Sequence, residues 1–297
     1  MLTVFGSVAI DTIRTPSRVI KNALGGAATY AAVSSSFFQK PGLIAVVGQD
    51  FPKKYQNMLG RFVNTKGVVH ANGQTFRYDG SYDQTLSSRK TNKTELNVLK
   101  DFKPIVPEEY RRSEFVYLAN NDPAQNTKII KEFDRVRFSM CDTIDFWIST
   151  KRNDVIKMMG VVDSVVINDE EARLLTKTHN LIKAAKRIMG WGTKFVIIKK
   201  GEHGSLLFYD DMVFPSPAFS LENIVDPTGA GDSFAGGMIG YLASKNSTKI
   251  SSIREATTYG NVMGSFAVER YGIDGLVRLN RSRIQDRFRR YKKMMHF

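Results

Sequence analysis

The residues with the clearest chemical potential lie in one run, Asp226-Pro-Thr-Gly-Ala-Gly-Asp-Ser-Phe-Ala-Gly-Gly237. Gly229, Ala230 and Gly231 precede Asp232, and beyond it Phe234, Met238, Ile239 and Leu242 recur at the spacing of one helix face. A glycine turn that opens a helix presents unpaired N–H groups and the positive end of the helix dipole. That is a site for an anion, phosphate above all. A carboxylate there repels phosphate, so Asp232 is out of place if its task is binding. It fits if it accepts a proton from a hydroxyl that attacks the phosphate. A bare Gly-x-Gly-Asp is more often a helix N-cap. The run is no Walker loop, because no Gly-Lys-Ser/Thr follows.

The twelve-residue string as a whole is more restrictive. It closely resembles the second signature of the ribokinase-like (PfkB) carbohydrate kinase family, and other segments agree in order and spacing. Gly25-Gly26-Ala-Ala-Thr-Tyr30-Ala-Ala resembles the first signature, a glycine pair opening a helix near the sugar. Asn168-Asp-Glu-Glu171 resembles the family's Asn-x-x-Glu motif, linked to magnesium and phosphate. Read alone, it is also a helix start with an acidic first turn. Lys199-Lys-Gly-Glu-His-Gly204 resembles the strand-end loop that lines the nucleotide, and alone it is an ordinary turn. Asn261 matches a helix asparagine near the adenine, and the resemblance runs from Leu2 to Leu276.

The resemblance implies an ATP-dependent kinase that moves the γ-phosphoryl group to a hydroxymethyl group of a sugar or sugar derivative. Asp232 would be the base, and the amides of Gly229, Ala230 and Gly231 would hold charge on the transferring phosphate. Asn168, Lys199, Gly201, Glu202, Gly204 and Asn261 would line ATP. Glu171 would hold magnesium through water, since magnesium keeps several waters. Asp226 and Thr228 would belong to a loop holding a monovalent cation such as potassium. Asp11 would accept hydrogen bonds from ring hydroxyls, a reading that outweighs the plain one of a turn aspartate. Gly25, Gly26, Tyr30, Tyr78 and Arg89 complete the acceptor set, with Phe76 a further lid contact. Tyr30 stands where many members carry Asn, which removes an amide and adds a ring. With an aromatic lid this leaves room for a flat base, so a nucleoside kinase stands beside the sugar kinase. Lids in this family often pair two copies into a homodimer.

Positioning these residues asks for alternating strands and helices. Leu2, Val4 and Val8 to Ile10 form a β-rich apolar run, and Gly42 to Gly48 reads as a buried strand. Phe115–Ala119, Val136–Met140, Ser164–Ile167 and Phe195–Ile198 are strand-like. Ala27–Phe38, Asp50–Val63, Asp169–Leu175 and Leu181–Met189 are helix-like. Such alternation predicts an α/β fold, a doubly wound, mostly parallel sheet with helices on both faces. The stretch from His70 to Phe102 is polar and carries short alternating pieces. With residues 12–24 it predicts a small β lid on one ribokinase-like domain spanning residues 1–297.

Composition narrows the setting. The 297 residues carry 43 Lys plus Arg against 29 Asp plus Glu, a net charge of +14. Cys141 is the single cysteine, which excludes an intrachain disulfide and a cysteine-built zinc site. The start has no basic region and too short an apolar run for a leader or a membrane span, so the expected setting is the cytoplasm. From Arg278 to Phe297 eight basic residues face one acid. This segment reads foremost as a solvated helix face, with a non-catalytic protein that binds nucleic acid as the alternative. Asp232 and the intact glycine turn favour the kinase, with a small-molecule acceptor and neither nucleic acid nor membrane as partner.

Overall fold

The computed structural model describes residues 1–295. Its strands are β1 (Leu2–Phe5), β2 (Ala9–Arg14), β3 (Val19–Gly25), β4 (Gly42–Gly48), β5 (Asn64–Ala71), β6 (Phe76–Tyr82), β7 (Arg89–Glu95), β8 (Phe115–Leu118), β9 (Phe138–Cys141), β10 (Ser164–Asn168), β11 (Phe195–Lys199), β12 (Ser205–Tyr209) and β13 (Met212–Ser216). Nine form one sheet in the order β13-β12-β11-β10-β9-β8-β1-β4-β5, and four form another in the order β3-β2-β6-β7. From β11 across to β5 the large sheet is parallel, and β12 and β13 close that edge antiparallel. The helices that position the site are α1 (Ala27–Ser36), α2 (Asp169–Thr176), α3 (Ala230–Lys245), α4 (Ile250–Ala267) and α5 (Arg281–Met294).

Both faces of the large sheet are covered, which is why its strands read as unbroken apolar runs. Leu2, Val4, Phe115 and Tyr117 pack with Phe234, Met238 and Phe266 of α3 and α4. Phe5, Val116 and Leu118 point the other way, into a second core with Val165, Ile167 and Leu175. α1 is buried along almost its whole length because α3 lies directly on it. A Cβ on Gly236 would stand 2.1 Å from the Ala31 carbonyl oxygen, so glycine lets the two helices touch backbone to backbone. The start of α3 is thereby fixed against the start of α1. The chain moves one way from β1 to β4 and β5 and the other way through β8 to β13. Ligand crevices in doubly wound sheets open at such a switch point, at the carboxyl ends of the strands.

Two boundaries differ from the sequence reading. The apolar run at the start is split: β1 stops at Phe5, and Ala9–Arg14 crosses into the small sheet. Hydrophobicity shows that both pieces are strands but carries nothing about which sheet each joins. His70 and Ala71 end β5 of the large sheet, and the lid resumes only at Phe76.

The basic C-terminal segment is a docked helix. Ile284, Phe288 and Tyr291 of α5 are buried, and the Phe288 ring stacks on Tyr259 with centroids 3.9 Å apart. Arg287 pairs with Glu269 at 2.8 Å and lies 3.5 Å from the Phe266 ring centre. Arg289 pairs with Asp286, and Lys292 meets Glu255 at 3.6 Å. Much of the segment's charge is therefore used within the fold. The expected segment's last two residues, His296 and Phe297, lie outside the described residues. Among the described residues no helix is long and apolar enough to cross a membrane.

Candidate active site

The glycine turn joins Asp226 to α3. Gly229 is the residue before the helix, with φ at +74°, and a Cβ there would fall 2.3 Å from the Tyr30 ring. Backbone conformation and packing both demand glycine at this one point. Ala230 donates its N–H to Pro227 O at 3.2 Å, so that amide holds the turn together. The Ser233 hydroxyl donates to Gly229 O at 2.7 Å and locks the turn from below. Asp232 is the third residue of α3, and the N-terminus of that helix has no side-chain cap. The simple capping role is thus unfilled, and the half-buried carboxylate lies beside Asp142, Lys199 and Arg89. Its pKa is pushed up to about 6, first by burial and then by Asp142, while Lys199 and Arg89 pull it back.

Three neighbouring parallel strands end beside it. Asp142 follows β9, Asn168 ends β10 and Lys199 ends β11 opposite Asn168. Lys199 Nζ pairs with Asp142 Oδ2 at 2.8 Å, with side chains only 16% and 5% exposed. Asn168 and Glu171 form a reciprocal capping box on α2. Asn168 Oδ1 accepts the Glu171 N–H at 2.7 Å, and Glu171 Oε2 accepts the Asn168 N–H at 3.0 Å. Burial, then Asp142, push Glu171 up to about 8, and Lys199 opposes them. Asp142, Glu171 and Asp232 thus share one field with two cations, Lys199 and Arg89. Among the described residues no three or more His, Cys, Asp or Glu gather closely enough to hold a metal directly.

The other side of the glycine turn is made by β2, α1 and the small sheet. Asp11 of β2 is 4% exposed, and its Oδ1 has no hydrogen-bond partner. Burial chiefly pushes Asp11 up to about 7, with Asp226 and Asp232 adding to it and the Gly26 N–H opposing it. Gly25 lies against this carboxylate, where a Cβ would fall 1.7 Å from Oδ2. The Tyr30 ring packs under Gly229 with its hydroxyl buried and unpartnered. Burial raises the Tyr30 phenol well above its ordinary value, and the Asp11 charge adds most to that. Tyr78 pairs in register with Asp11, and the Arg89 guanidinium lies 5.7 Å from the Tyr78 ring centre. Thr228 Oγ1 donates to the Tyr82 hydroxyl at 3.1 Å, so the lid already touches the glycine turn.

A glycine turn opening a helix, an unpartnered carboxylate and a neighbouring lid are the parts that phosphoryl transfer calls for. The profile of pfkB family carbohydrate kinases matches residues 1–277. The chain belongs to this family. A cytidine kinase of Thermococcus kodakarensis is 33% identical over 254 residues, covering 80% of this chain and 87% of its own. The nucleoside kinase of Methanocaldococcus jannaschii, "an archaeal member of the ribokinase family", superposes with a TM-score of 0.78 at 19% identity, covering 97% and 98% of the two chains. The ribokinase of Thermotoga maritima does so at 0.76 and 18%, covering 97% and 99%. The fold is ribokinase-like, and the protein is a kinase that transfers phosphoryl groups to a sugar or a nucleoside.

In this pfkB-family kinase most residues singled out from sequence converge, but not all. Asp11, Gly25, Gly26, Tyr30, Tyr78, Arg89, Asn168, Glu171, Lys199, Asp226 and Thr228 lie together around the glycine turn. Asp226 is wholly buried, and its two oxygens accept the Thr228 N–H at 2.9 Å and the Gly272 N–H at 2.8 Å. It binds two loops together. Asn261 Nδ2 donates to Ser216 O at 3.0 Å, Ser216 Oγ at 2.8 Å and Ser205 Oγ at 3.2 Å. Its amide nitrogen braces β12 and β13. Gly201 and Gly204 bound a short exposed turn, and Glu202 in it points to solvent beside His203. Phe76 packs on the second core, where the turn after β7 meets it. Asp142, Tyr82 and Tyr117 were not anticipated. Asp142 could have been found, because a carboxylate directly after a parallel strand stands where ligands bind. Tyr82 and the buried Tyr117 hydroxyl, unpartnered near Asp142 and Asp232, carried no sequence signal.

Proposed function

We propose that this kinase uses ATP to phosphorylate a hydroxymethyl group of a sugar or sugar derivative, with Asp232 as the proton acceptor. The observation that carries the reading is an uncapped helix start in which Asp232 stands free beside Gly231 and Lys199. The acceptor hydroxyl attacks the γ-phosphorus, its proton passes to Asp232, and the bond to the ADP oxygen breaks. Gly231 offers its amide to the moving charge, since the Ala230 amide is held inside the turn. A free-enzyme pKa of about 6 leaves Asp232 ionised at neutral pH, near the optimum for a base.

Magnesium fits this cleft. Glu171, Asp142 and Asp232 set three carboxyl groups against Lys199 and Arg89, a bound cation would draw the raised Glu171 back to its charged form, and no direct three-ligand set exists among the described residues. That suits a hydrated ion held on phosphates and, through water, on Glu171. Bound there, it would neutralise charge on the terminal phosphates. A monovalent cation would sit near the loops that Asp226 joins. The fructokinase of Vibrio cholerae, at 18% identity, holds fructose, ADP and potassium. Lid pairing between two copies would have to cover the face bearing the Arg14–Asp79 ion pair at 2.9 Å and Asn92. Dependence on ATP, together with a lone buried cysteine, supports a cytoplasmic setting.

A nucleoside acceptor is the second reading. Tyr78, Tyr82 and Arg89 offer stacking surface, and the cytidine kinase relative points the same way. Coupled ADP release over ribose, fructose, myo-inositol, cytidine and inosine decides between them. Turnover on a free sugar and none on nucleosides supports the first reading, and the reverse supports the second. ADP release that no acceptor accelerates contradicts both.

A further inference from the structure

We propose that Lys199 is the side-chain cation that meets the transferring phosphoryl group, and that Asp142 is the positioning residue that aims it there. Lys199 Nζ reaches the glycine turn itself, for a Cβ built on Gly231 would stand 2.9 Å from it. Its anchor is rigid. Asp142 is 4% exposed, its Oδ1 accepts the Thr143 N–H at 2.7 Å and its Oδ2 accepts from Lys199 at 2.8 Å. An ammonium has three donors, and Asp142 takes one. The other two have no hydrogen-bond partner among the described residues, and Nζ lies beside Gly231 of the glycine turn.

A buried ion pair is a weak source of stability, because desolvation consumes most of its attraction. Its value here is direction. Without Asp142 the four-carbon stem of Lys199 would swing among the other carboxylates that face it, Glu171 and Asp232. With Asp142 the ammonium is held against the turn without pairing with the base. As the acceptor oxygen bonds to phosphorus and the bond to the ADP oxygen breaks, the proton goes to Asp232 and the electron pair to ADP. Lys199 keeps its proton throughout and gains interaction only as charge spreads over the equatorial oxygens. This goes beyond lining the nucleotide: the contact belongs to the transition state, so its loss falls on kcat.

This inference rests on the proposed reaction, and the experiment separates the two. With the best acceptor of the five above, Lys199→Met is expected to lower kcat by about 10²–10³-fold, the usual loss for one pre-aimed donor, with KM for ATP within about threefold. Lys199→Arg recovers at least about tenfold of it, and Asp142→Asn lowers kcat by about tenfold. A second readout needs no ligand: the carboxyl carbon of Asp232, followed by NMR through a pH titration. Asp142, Lys199, Arg89, Asp11, Tyr30 and Tyr117 are the charged or titratable groups that face Asp232. Its midpoint is expected to rise in Lys199→Met and fall in Asp142→Asn, opposite movements that general loosening would not give. Should Lys199→Met fail to fold with Asp142 left unpaired, Lys199→Met/Asp142→Asn carries the test, with the same loss of kcat expected. Turnover within threefold of wild type in either variant overturns the role of Lys199. Full turnover in Asp232→Asn would overturn the underlying reaction instead.

Discussion

The two ends of the cleft are built differently. Around the glycine turn several polar groups are tied to the protein: Asn168 and Glu171 cap each other, Asp142 holds Lys199, and Asp226 gives both oxygens to backbone amides, while Asp232 and the buried Tyr117 hydroxyl stand free. At the acceptor end Asp11 Oδ1 and the Tyr30 hydroxyl are buried with no partner. An unmet buried polar atom costs about 1–3 kcal/mol, so two in one pocket destabilise the free protein until a hydroxylated ligand meets them. On the proposed reaction, recognition of the acceptor falls to groups that are satisfied only on binding.

The largest expected effect breaks the phosphoryl end. Asp232→Asn keeps the shape of the side chain and removes its basicity, so kcat is expected to fall by about 10²–10⁴-fold with KM for ATP nearly unchanged. Steady-state kinetics with ATP varied at saturating acceptor measures this. A kcat within threefold of wild type would show that the hydroxyl loses its proton elsewhere.

The acceptor end should respond in KM. Asp11→Ala removes a carboxylate that can take two hydroxyls, and KM for the acceptor is expected to rise by about 10–100-fold with KM for ATP unmoved. A rise in both constants would mean that Asp11 shapes the cleft as a whole. Tyr30→Phe is subtler and tests the orphan hydroxyl directly. Without ligand it removes an unsatisfied donor, so the melting temperature is expected to rise by about 2–4 °C. With acceptor present it removes a bond, so KM is expected to rise by about 5–10-fold. Scanning calorimetry with and without the acceptor distinguishes this pairing from a uniform loss, which would make Tyr30 an ordinary core residue.

This contrast also explains what the sequence made legible. The glycine turn, the strand-end motifs and the strand–helix alternation are local, and each is set by neighbours in the chain. Asp232, Glu171 and Lys199 can therefore be singled out from sequence alone, and so can the parallel sheet with its lid. Reach was the hidden part. Asn261 carries the right residue type at the right place, yet its amide nitrogen is taken up by Ser205 and Ser216, 45 or more residues away in sequence. The crossing of Ala9–Arg14 into the lid, Asp142 beneath Lys199 and Tyr82 on Thr228 are likewise long-range pairings. No period or spacing encodes them.

A last effect needs no substrate and sharpens the contrast through the pH dependence of stability. Asp11 is pushed up to about 7 in the folded protein, against 3.8 for an ordinary aspartate. Where the folded pKa lies above the unfolded one, the native state holds the extra proton, and stability falls as pH rises between the two values. Asp11 therefore has no such effect below about pH 4, erodes stability progressively towards pH 7 and levels off above it. Asp11→Asn has the same outline and no charge. Its melting temperature is expected to match wild type near pH 4 and exceed it by about 3–6 °C at pH 8. That range takes about 1.4 kcal/mol for each pH unit separating the folded and unfolded values, discounted for relaxation. Scanning calorimetry at constant ionic strength across that range reads the difference directly. A constant offset at every pH would mean that Asp11 meets a partner in the free enzyme, and Asp11 would then be tied to the protein as Asp226 is.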